Sequence, residues 1–172
     1  MTPQAEPKLE LKPLSKEAVP SALGKAERYR LLNEPAAAES ICLDILRVEP
    51  GHQQALITLL LALTDQFGKG YSVNLSQPRE LLSRLEGEYA KAYYAGIICE
   101  RWAKSMLHEG GPGTKHAAYG WFHEAMGWYE KAVRAHPSGN EDAVLRWNSC
   151  LRSIQRHRLT ADNDGHSQPI LE

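Results

Sequence analysis

Apolar residues recur along this chain at intervals of three and four positions, the spacing that places them on one face of an α-helix. The clearest stripe consists of Leu56, Leu59, Leu60 and Leu63. Proline, glycine and asparagine residues separate the periodic segments, as expected for short turns. The pattern predicts helices at about residues 15–32, 35–48, 52–67, 78–85, 88–108, 115–136 and 141–158.

The ends of these helices follow from the residues at their boundaries. Ser15 and Thr114 are predicted N-caps, because a hydroxyl oxygen accepts a hydrogen bond from a free backbone N–H. Pro35 suits the first turn of a helix, where its missing N–H is not needed. Pro50 ends the second helix, since the residue before a proline is biased away from helical dihedrals. Glycines 68 and 70 begin a loop that is predicted to extend to residue 77.

Four helices have distinctive apolar faces. In the third helix Ile57 and Leu61 widen the leucine stripe, which predicts an inner helix covered on two sides. The buried side of the 88–108 helix is predicted to contain Tyr93, Gly96, Ile97 and Cys99. The predicted stripes of the last two helices are Ala118, Phe122, Ala125, Tyr129 and Ala132, and then Val144, Trp147, Leu151 and Ile154.

The length of 172 residues favours one domain. We expect a helical domain at residues 15–160, with a flexible N-terminal tail at 1–14 and a flexible C-terminal tail at 161–172. The first tail carries several prolines and charges, and the second is mostly polar, so neither buries much apolar surface.

Two segments share the same spacing of an alanine, two further apolar residues and a proline. Both consist of an amphipathic helix that ends at a proline. The matching residues are Ala38, Cys42, Ile45 and Pro50 in the first segment, and Ala125, Tyr129, Ala132 and Pro137 in the second. Two copies at the same offsets indicate an internal repeat.

This pattern resembles the second half of the tetratricopeptide repeat, A-x3-aromatic followed by proline, as in small bacterial-type proteins of that family. The resemblance implies an all-α fold in which antiparallel helix pairs stack as a short right-handed α-solenoid. The 88–136 segment would be an extended third hairpin, and the last helix a C-terminal cap. Ala38 and Ala125 would lie at equivalent close helix crossings.

Members of this family generally bind peptides or proteins on a concave surface lined by the first helix of each pair. The resemblance therefore implies a non-catalytic adaptor or scaffold for a protein or peptide partner. Binding would use charge-assisted hydrogen bonds and aromatic contacts. Carried over by turn counting, the partner-binding residues are Glu27, Arg30, Gln54, Asp65, Tyr93, Glu100 and Arg101.

Composition excludes some partners. The net charge of −1 gives no bulk attraction to nucleic acid or anionic membrane, although the last helix has a basic end at 146–158. The apolar run Ala55–Leu63 is too short to cross a bilayer. With no secretory signal in the first residues, we expect a cytoplasmic protein that binds neither nucleic acid nor membrane.

Candidate chemistry is sparse. The three cysteines have no metal-ligand or redox spacing and are predicted to be reduced, buried thiols. His116 and His123 could share a helix face, His136 lies on another turn and His108 lies just across the hairpin, but no zinc motif is present. We expect no enzyme, cofactor or metal; the alternative is a metal-dependent enzyme that uses His116, His123 or Glu100.

The aromatic residues leave a second alternative open. All four tryptophans, at positions 102, 121, 128 and 147, lie in the second half of the chain. Core packing accounts for them, but tryptophan also supplies a large contact area at interfaces. The alternative is a self-associating structural module whose extended hairpin forms a homo-oligomer interface.

Overall fold

The computed structural model describes residues 9–70, 72–135 and 139–161 of the chain. These residues are helical or in loops, and none of them belongs to a strand, so the predicted all-α class is confirmed. A 3-10 turn, Lys16–Ala18, precedes the first α-helix. The helices are α1 (Val19–Leu31), α2 (Pro35–Val48), α3 (Gln53–Thr64), α4 (Ser76–Leu82), α5 (Glu88–Glu109), α6 (Thr114–Arg134) and α7 (Asp142–His157).

Some residues on which the predictions depend lie outside the described ranges. His136 and Pro137 are among them, so the second proline of the repeat pattern has no structural description. The same holds for residues 1–8 and 162–172, which make up most of the two predicted tails. Within the part of the chain that the structure describes, no helix combines the length and apolarity that crossing a membrane requires.

Two predicted helix caps need correction. Ser15 precedes the 3-10 turn, but its side chain makes no capping hydrogen bond. Thr114 is the first residue of α6, because Gly113 takes the cap position with a left-handed φ of 76°. The Thr114 hydroxyl instead donates to the carbonyl of Gly111 at 2.8 Å. A cap that the pattern did not predict is His52, whose Nδ1 accepts from the backbone N–H of Ala55 at 3.2 Å.

The helix α3 is the centre of the first half of the molecule. It packs against α1, α2, α4 and α5, which confirms the prediction of an inner helix covered on two sides. Its leucines at 56 and 60 are fully buried, and those at 59 and 63 nearly so. Ala38 of α2 is also fully buried where α2 packs beside α1 and α3.

The helix α4 is shorter and earlier than predicted. It has 7 residues and extends from Ser76 to Leu82, whereas the predicted range was 78–85. It begins at Ser76, whose backbone N–H donates a hydrogen bond of 2.9 Å to Oδ1 of Asn74. The final turn of the predicted helix is not α-helical, yet Leu85 is buried there among the apolar residues of the first half of the molecule.

The hairpin of α5 and α6 forms the second half together with α7. The predicted stripe of α6 is confirmed, since all five of its residues are buried. On α5, Gly96, Ile97 and Cys99 are buried as predicted, and Tyr93 is half-buried. The predicted stripe of α7 needs correction: its fully buried positions are Ala143 and Cys150, seven residues apart. Val144, Trp147, Leu151 and Ile154 are only half-buried on the flanks.

Two groups of buried apolar residues result from this packing. The first lies among α1–α4 and includes Ile98 of α5, and the second lies among α5–α7. Leu61 of α3 and Tyr94 of α5 pack against both groups. The two cores therefore meet along α5, which packs against α3; these two helices contain most of the predicted partner-binding residues.

Candidate interaction surface

The first polar cluster joins the predicted residues of α1, α3 and α5. Asp65 lies just after the last turn of α3, where its two carboxylate oxygens accept from two different helices. Arg30 donates from Nε to Oδ2 at 2.7 Å, and Arg101 donates from Nη1 to Oδ1 at 2.5 Å. Asp65 therefore binds α1 and α5 to the end of α3.

Arg101 also satisfies the C-terminal end of α3. Its Nη1 lies 2.7 Å from Oγ1 of Thr64 and 3.1 Å from the carbonyl oxygen of Leu61. A cation at this position also complements the negative end of the helix dipole. Burial lowers the pKa of Arg101, while the carboxylate of Asp65 acts in the opposite direction. Because the ordinary pKa of arginine lies far above neutrality, the side chain stays charged.

The second polar cluster surrounds Glu100 of α5. This side chain is fully buried, which corrects the prediction that it faces a groove. The Tyr129 hydroxyl donates to Oε2 at 2.6 Å, and Lys104 Nζ donates to Oε1 at 2.5 Å. Arg146 of α7 lies 3.4 Å from the same Oε1. A carboxylate removed from water needs such partners, so Glu100 serves here as the anchor for three helices.

The pKa values of Tyr129 and Arg146 are shifted in this cluster. Burial raises the pKa of Tyr129, and the neighbouring carboxylate of Glu100 raises it further. For Arg146, burial acts to lower the pKa, but the attraction of Glu100 prevails and the net shift is upward. At neutral pH the phenol is therefore a donor and the guanidinium is charged.

A glycine makes the approach of Tyr129 possible. A Cβ atom placed on Gly96 would lie 2.5 Å from Cε1 of Tyr129, closer than real Cβ contacts. The ring also contacts Tyr93, at 5.9 Å between centroids. Tyr93 in turn stacks on Tyr89 at 5.6 Å. Tyr89, Tyr93 and Tyr129 thus form a row of aromatic rings beside the Glu100 cluster.

The two clusters form one surface, which we call the cationic face. Arg101 has an electrostatic interaction with Arg146 and Glu100 as well as with Asp65, so the clusters lie within reach of each other. The cationic face consists of Arg30, Asp65, Glu100, Arg101, Lys104 and Arg146. Four cations share two carboxylates, and the surplus charge of this group is positive. The side chains of Lys104 and Arg146 remain 46% and 36% exposed, so this charge reaches solvent.

The two remaining predicted residues lie at the edge of α1 and α3. Gln54 donates from Nε2 to Oε1 of Glu27 at 3.3 Å, and both side chains are exposed. Five of the seven predicted residues therefore contact one another, Gln54 with Glu27 and Asp65 with Arg30 and Arg101, whereas Tyr93 and Glu100 contact residues outside the predicted set. Two members of the face were not predicted, Lys104 and Arg146. The spacing of Glu100 and Lys104 at i and i+4 was the available sequence signal.

The residues proposed for metal chemistry are not brought together. His108, His116 and His123 are exposed, and Glu100 is enclosed by its own donors. Within the described ranges no group of three His, Cys, Asp or Glu side chains has metal-binding geometry. The three cysteines are free and buried, and burial raises the pKa of each thiol to about 12. Since the thiolate is the reactive form, these thiols are poor nucleophiles at neutral pH.

Comparison with known proteins places no constraint on this surface: no family model, curated protein or solved structure matches the chain.

Proposed function

We propose that this chain is a non-catalytic protein–protein interaction module that binds an anionic peptide segment of a partner on its cationic face. The single observation that carries the proposal is the group of four cations, Arg30, Arg101, Lys104 and Arg146, whose ion pairs are formed with two carboxylates, those of Asp65 and Glu100. Complementary charge of this kind steers partners and selects among them.

The rigidity of the arginines supports the same proposal. Arg101 is held by Leu61, Thr64 and Asp65, so its guanidinium has already lost much of its freedom. A ligand then loses less entropy when it binds to such a side chain. Tyr93 and its neighbours add aromatic surface beside Arg146. An extended or helical acidic segment would use both features.

The proposal includes the arrangement of the helices. We infer a short right-handed tetratricopeptide-like array in which α1, α3 and α5 are the first helices of successive pairs and α7 is the cap. Two contacts support it: α1 packs on α3, and α3 packs on α5. The complete burial of Ala38 and Ala125, the small residues of the repeated pattern, is a further support.

Peptide binding at two salt concentrations tests this function. Arrays of acidic, neutral and basic peptides should show preferential binding of the acidic set, and the preference should weaken in high salt. Arg30→Gln and Lys104→Gln should each weaken binding by about two- to fivefold, since partly exposed ion pairs contribute about 0.5–1 kcal/mol. The matched control is Lys25→Gln, an exposed lysine of α1 outside the face.

Two results would count against the proposal. One is binding that both face variants retain at the level of the Lys25→Gln control. The other is a preference for basic or neutral peptides that salt does not alter. Circular dichroism of each variant verifies that the helical fold is intact in these comparisons.

A second candidate function is self-association through α6 and α7. Val133 and Leu145 are 45% and 63% exposed, although both are apolar. Val133 also lines a surface cavity of about 310 Å³ with Val144 and Trp147. Light scattering after gel filtration tests this candidate. A Leu145→Glu variant should dissociate the oligomer if this surface forms it, whereas a monomeric wild type at high concentration excludes a stable one.

A further inference from the structure

The helix α4 packs on part of the outer surface of the α5–α6 hairpin. Arg79 of α4 reaches across to α6, where its guanidinium lies 5.2 Å from the ring centroid of Trp121 and 3.6 Å from the carboxylate of Glu124. Since α4 has 7 residues and α2 has 14, α4 stops after about half the length that α2 reaches. The remainder of the seam between α5 and α6 continues past Leu82, the last residue of α4.

Two cavities follow one another along this seam. The first, of about 300 Å³, lies at the end of α4 and has an apolar wall of Leu82, Ala95 and Ile98. The second, of about 420 Å³, contains Ala92 and Ala135 and continues toward the end of α6. Trp128 lines both, so the two cavities adjoin at this side chain and together form a groove.

The length of the groove corresponds to a short helix. On α5 it extends from Glu88 to Cys99, and eleven steps of 1.5 Å give roughly 17 Å. This is about three turns of α-helix. Ala92 and Ala95 are small and only 6% and 5% exposed, so they form the floor of the groove, where another backbone can come close, while the half-buried Trp128 offers a large apolar contact.

The charges along the groove are unequal. At the α4 end Arg79 and Glu124 balance each other. At the far end three cations, Lys91, Lys131 and Arg134, accompany one carboxylate, that of Glu88. The Lys131 ammonium lies 4.1 Å from the Trp128 ring centroid, so part of this charge is fixed against the apolar wall. The groove therefore favours an occupant with an apolar face and negative charge at one end.

We propose that this surface, the α5–α6 groove, is a docking site for an acidic amphipathic helix of a partner protein. The helix has about three turns, with apolar residues at i, i+3 or i+4, and i+7 over Ala92, Ala95 and Trp128. Its Asp or Glu residues lie at the end next to Lys91 and Lys131. A small molecule is a poorer fit, because both cavities are open and would leave much of its surface in water.

Selection from a displayed library of random 14-residue helical peptides tests the docking site with the full chain. The wild type is the target, and a Lys91→Glu, Lys131→Glu double variant is the counter-target. The control is a Lys25→Glu, Lys115→Glu double variant, which reverses two exposed lysines outside the groove. We expect amphipathic sequences with Asp or Glu at one end, which bind the counter-target about tenfold more weakly and the control unchanged.

A second measurement locates the peptide. The indole N–H signal of Trp128, assigned with a Trp128→Phe variant, should shift when a selected peptide binds, whereas that of Trp147 should not. Peptides that bind wild type and counter-target equally would overturn the proposal, as would a basic consensus or no enrichment. If Lys104→Gln removes their binding instead, the peptides occupy the cationic face, and only the docking site is refuted. If light scattering shows a dimer that the Lys91→Glu, Lys131→Glu variant dissociates, the occupant is a second copy and the proposal is wrong.

Discussion

The phenol of Tyr129 donates a hydrogen bond of 2.6 Å to the carboxylate of Glu100, and both side chains are fully buried. A buried carboxylate is costly unless each oxygen has a donor, and here α5, α6 and α7 all supply one. This contact therefore couples three helices through a single ionised group. It also connects the core of the second half to the exposed cations of the cationic face.

Loss of the phenol should be measurable without changing the shape of the core. Tyr129→Phe keeps the ring but removes one donor from Glu100, so we expect the free energy of unfolding to fall by about 1–3 kcal/mol. Urea denaturation followed by circular dichroism measures the change. The matched control is Tyr29→Phe, at a ring that is 39% exposed, and it should stay within about 0.5 kcal/mol of the wild type.

Two glycine substitutions should have opposite signs. Gly96→Ala places a methyl group 2.5 Å from Cε1 of Tyr129, so we expect overpacking to destabilise the fold by about 1–3 kcal/mol. Gly120→Ala meets no atom within 4 Å on an exposed face of α6. It should stabilise the fold by about 0.5–1 kcal/mol, because alanine favours the helix. Denaturation midpoints of both variants check this, and a Gly96→Ala variant at least as stable as the wild type would contradict the packing described for Gly96.

Removal of the charge that joins α1 and α5 should also destabilise the molecule. Asp65→Asn leaves Arg30 and Arg101 facing each other without a carboxylate, and we expect a loss of about 1–2 kcal/mol that diminishes in high salt. The control is Glu124→Gln, which removes an exposed ion pair of 3.6 Å and should have an effect under about 1 kcal/mol. Equal losses for both substitutions would show that Asp65 does not bind the helices together.

Because the three cysteine thiols are buried, we expect the free energy of unfolding to fall at alkaline pH. Burial raises the pKa of Cys42, Cys99 and Cys150 from 9.0 to about 12, so between these values the folded chain holds protons that the unfolded chain has released. Their contribution is therefore complete below pH 9 and declines as the pH rises toward 12. The slope is at most about 1.4 kcal/mol per pH unit for each thiol.

Urea denaturation between pH 8 and pH 11 measures this slope. Cys150→Ala should flatten it, because one titrating group is removed, while its stability at pH 8 falls through the loss of packing. A slope that this variant leaves unchanged would indicate that the thiols are accessible or already ionised in the folded chain. Thiol-specific labelling provides an independent check, since the native protein should react only slowly at pH 8.

Periodicity was sufficient for the fold class and for most of the core. The stripe of α6 and the leucines of α3 were predictable because one face of each helix is continuously apolar. The stripe of α7 was not, since Val144 and Trp147 are larger than Ala143 and Cys150 but lie on its flanks. Close packing against α6 selects the small residues there, and hydrophobicity alone does not reveal which neighbour comes close.

The polar clusters were only partly predictable. Turn counting placed Arg30, Asp65 and Arg101 on neighbouring first helices, and the structure brings them together. It did not predict the burial of Glu100, because the donors come from Tyr129 and Arg146, far away in sequence. Burial of a charge depends on partners in space, so a single carboxylate in a helix pattern carries no signal for it.

The meeting of the two cores at Leu61 and Tyr94 has a mechanical consequence. The contact of Asp65 with Arg101 also joins α3 to α5, so a peptide that bound the cationic face from Arg30 to Arg146 would contact both halves of the molecule. Occupancy of the face would then act as a clamp. It would suppress independent opening of either half and make unfolding of the whole chain more cooperative.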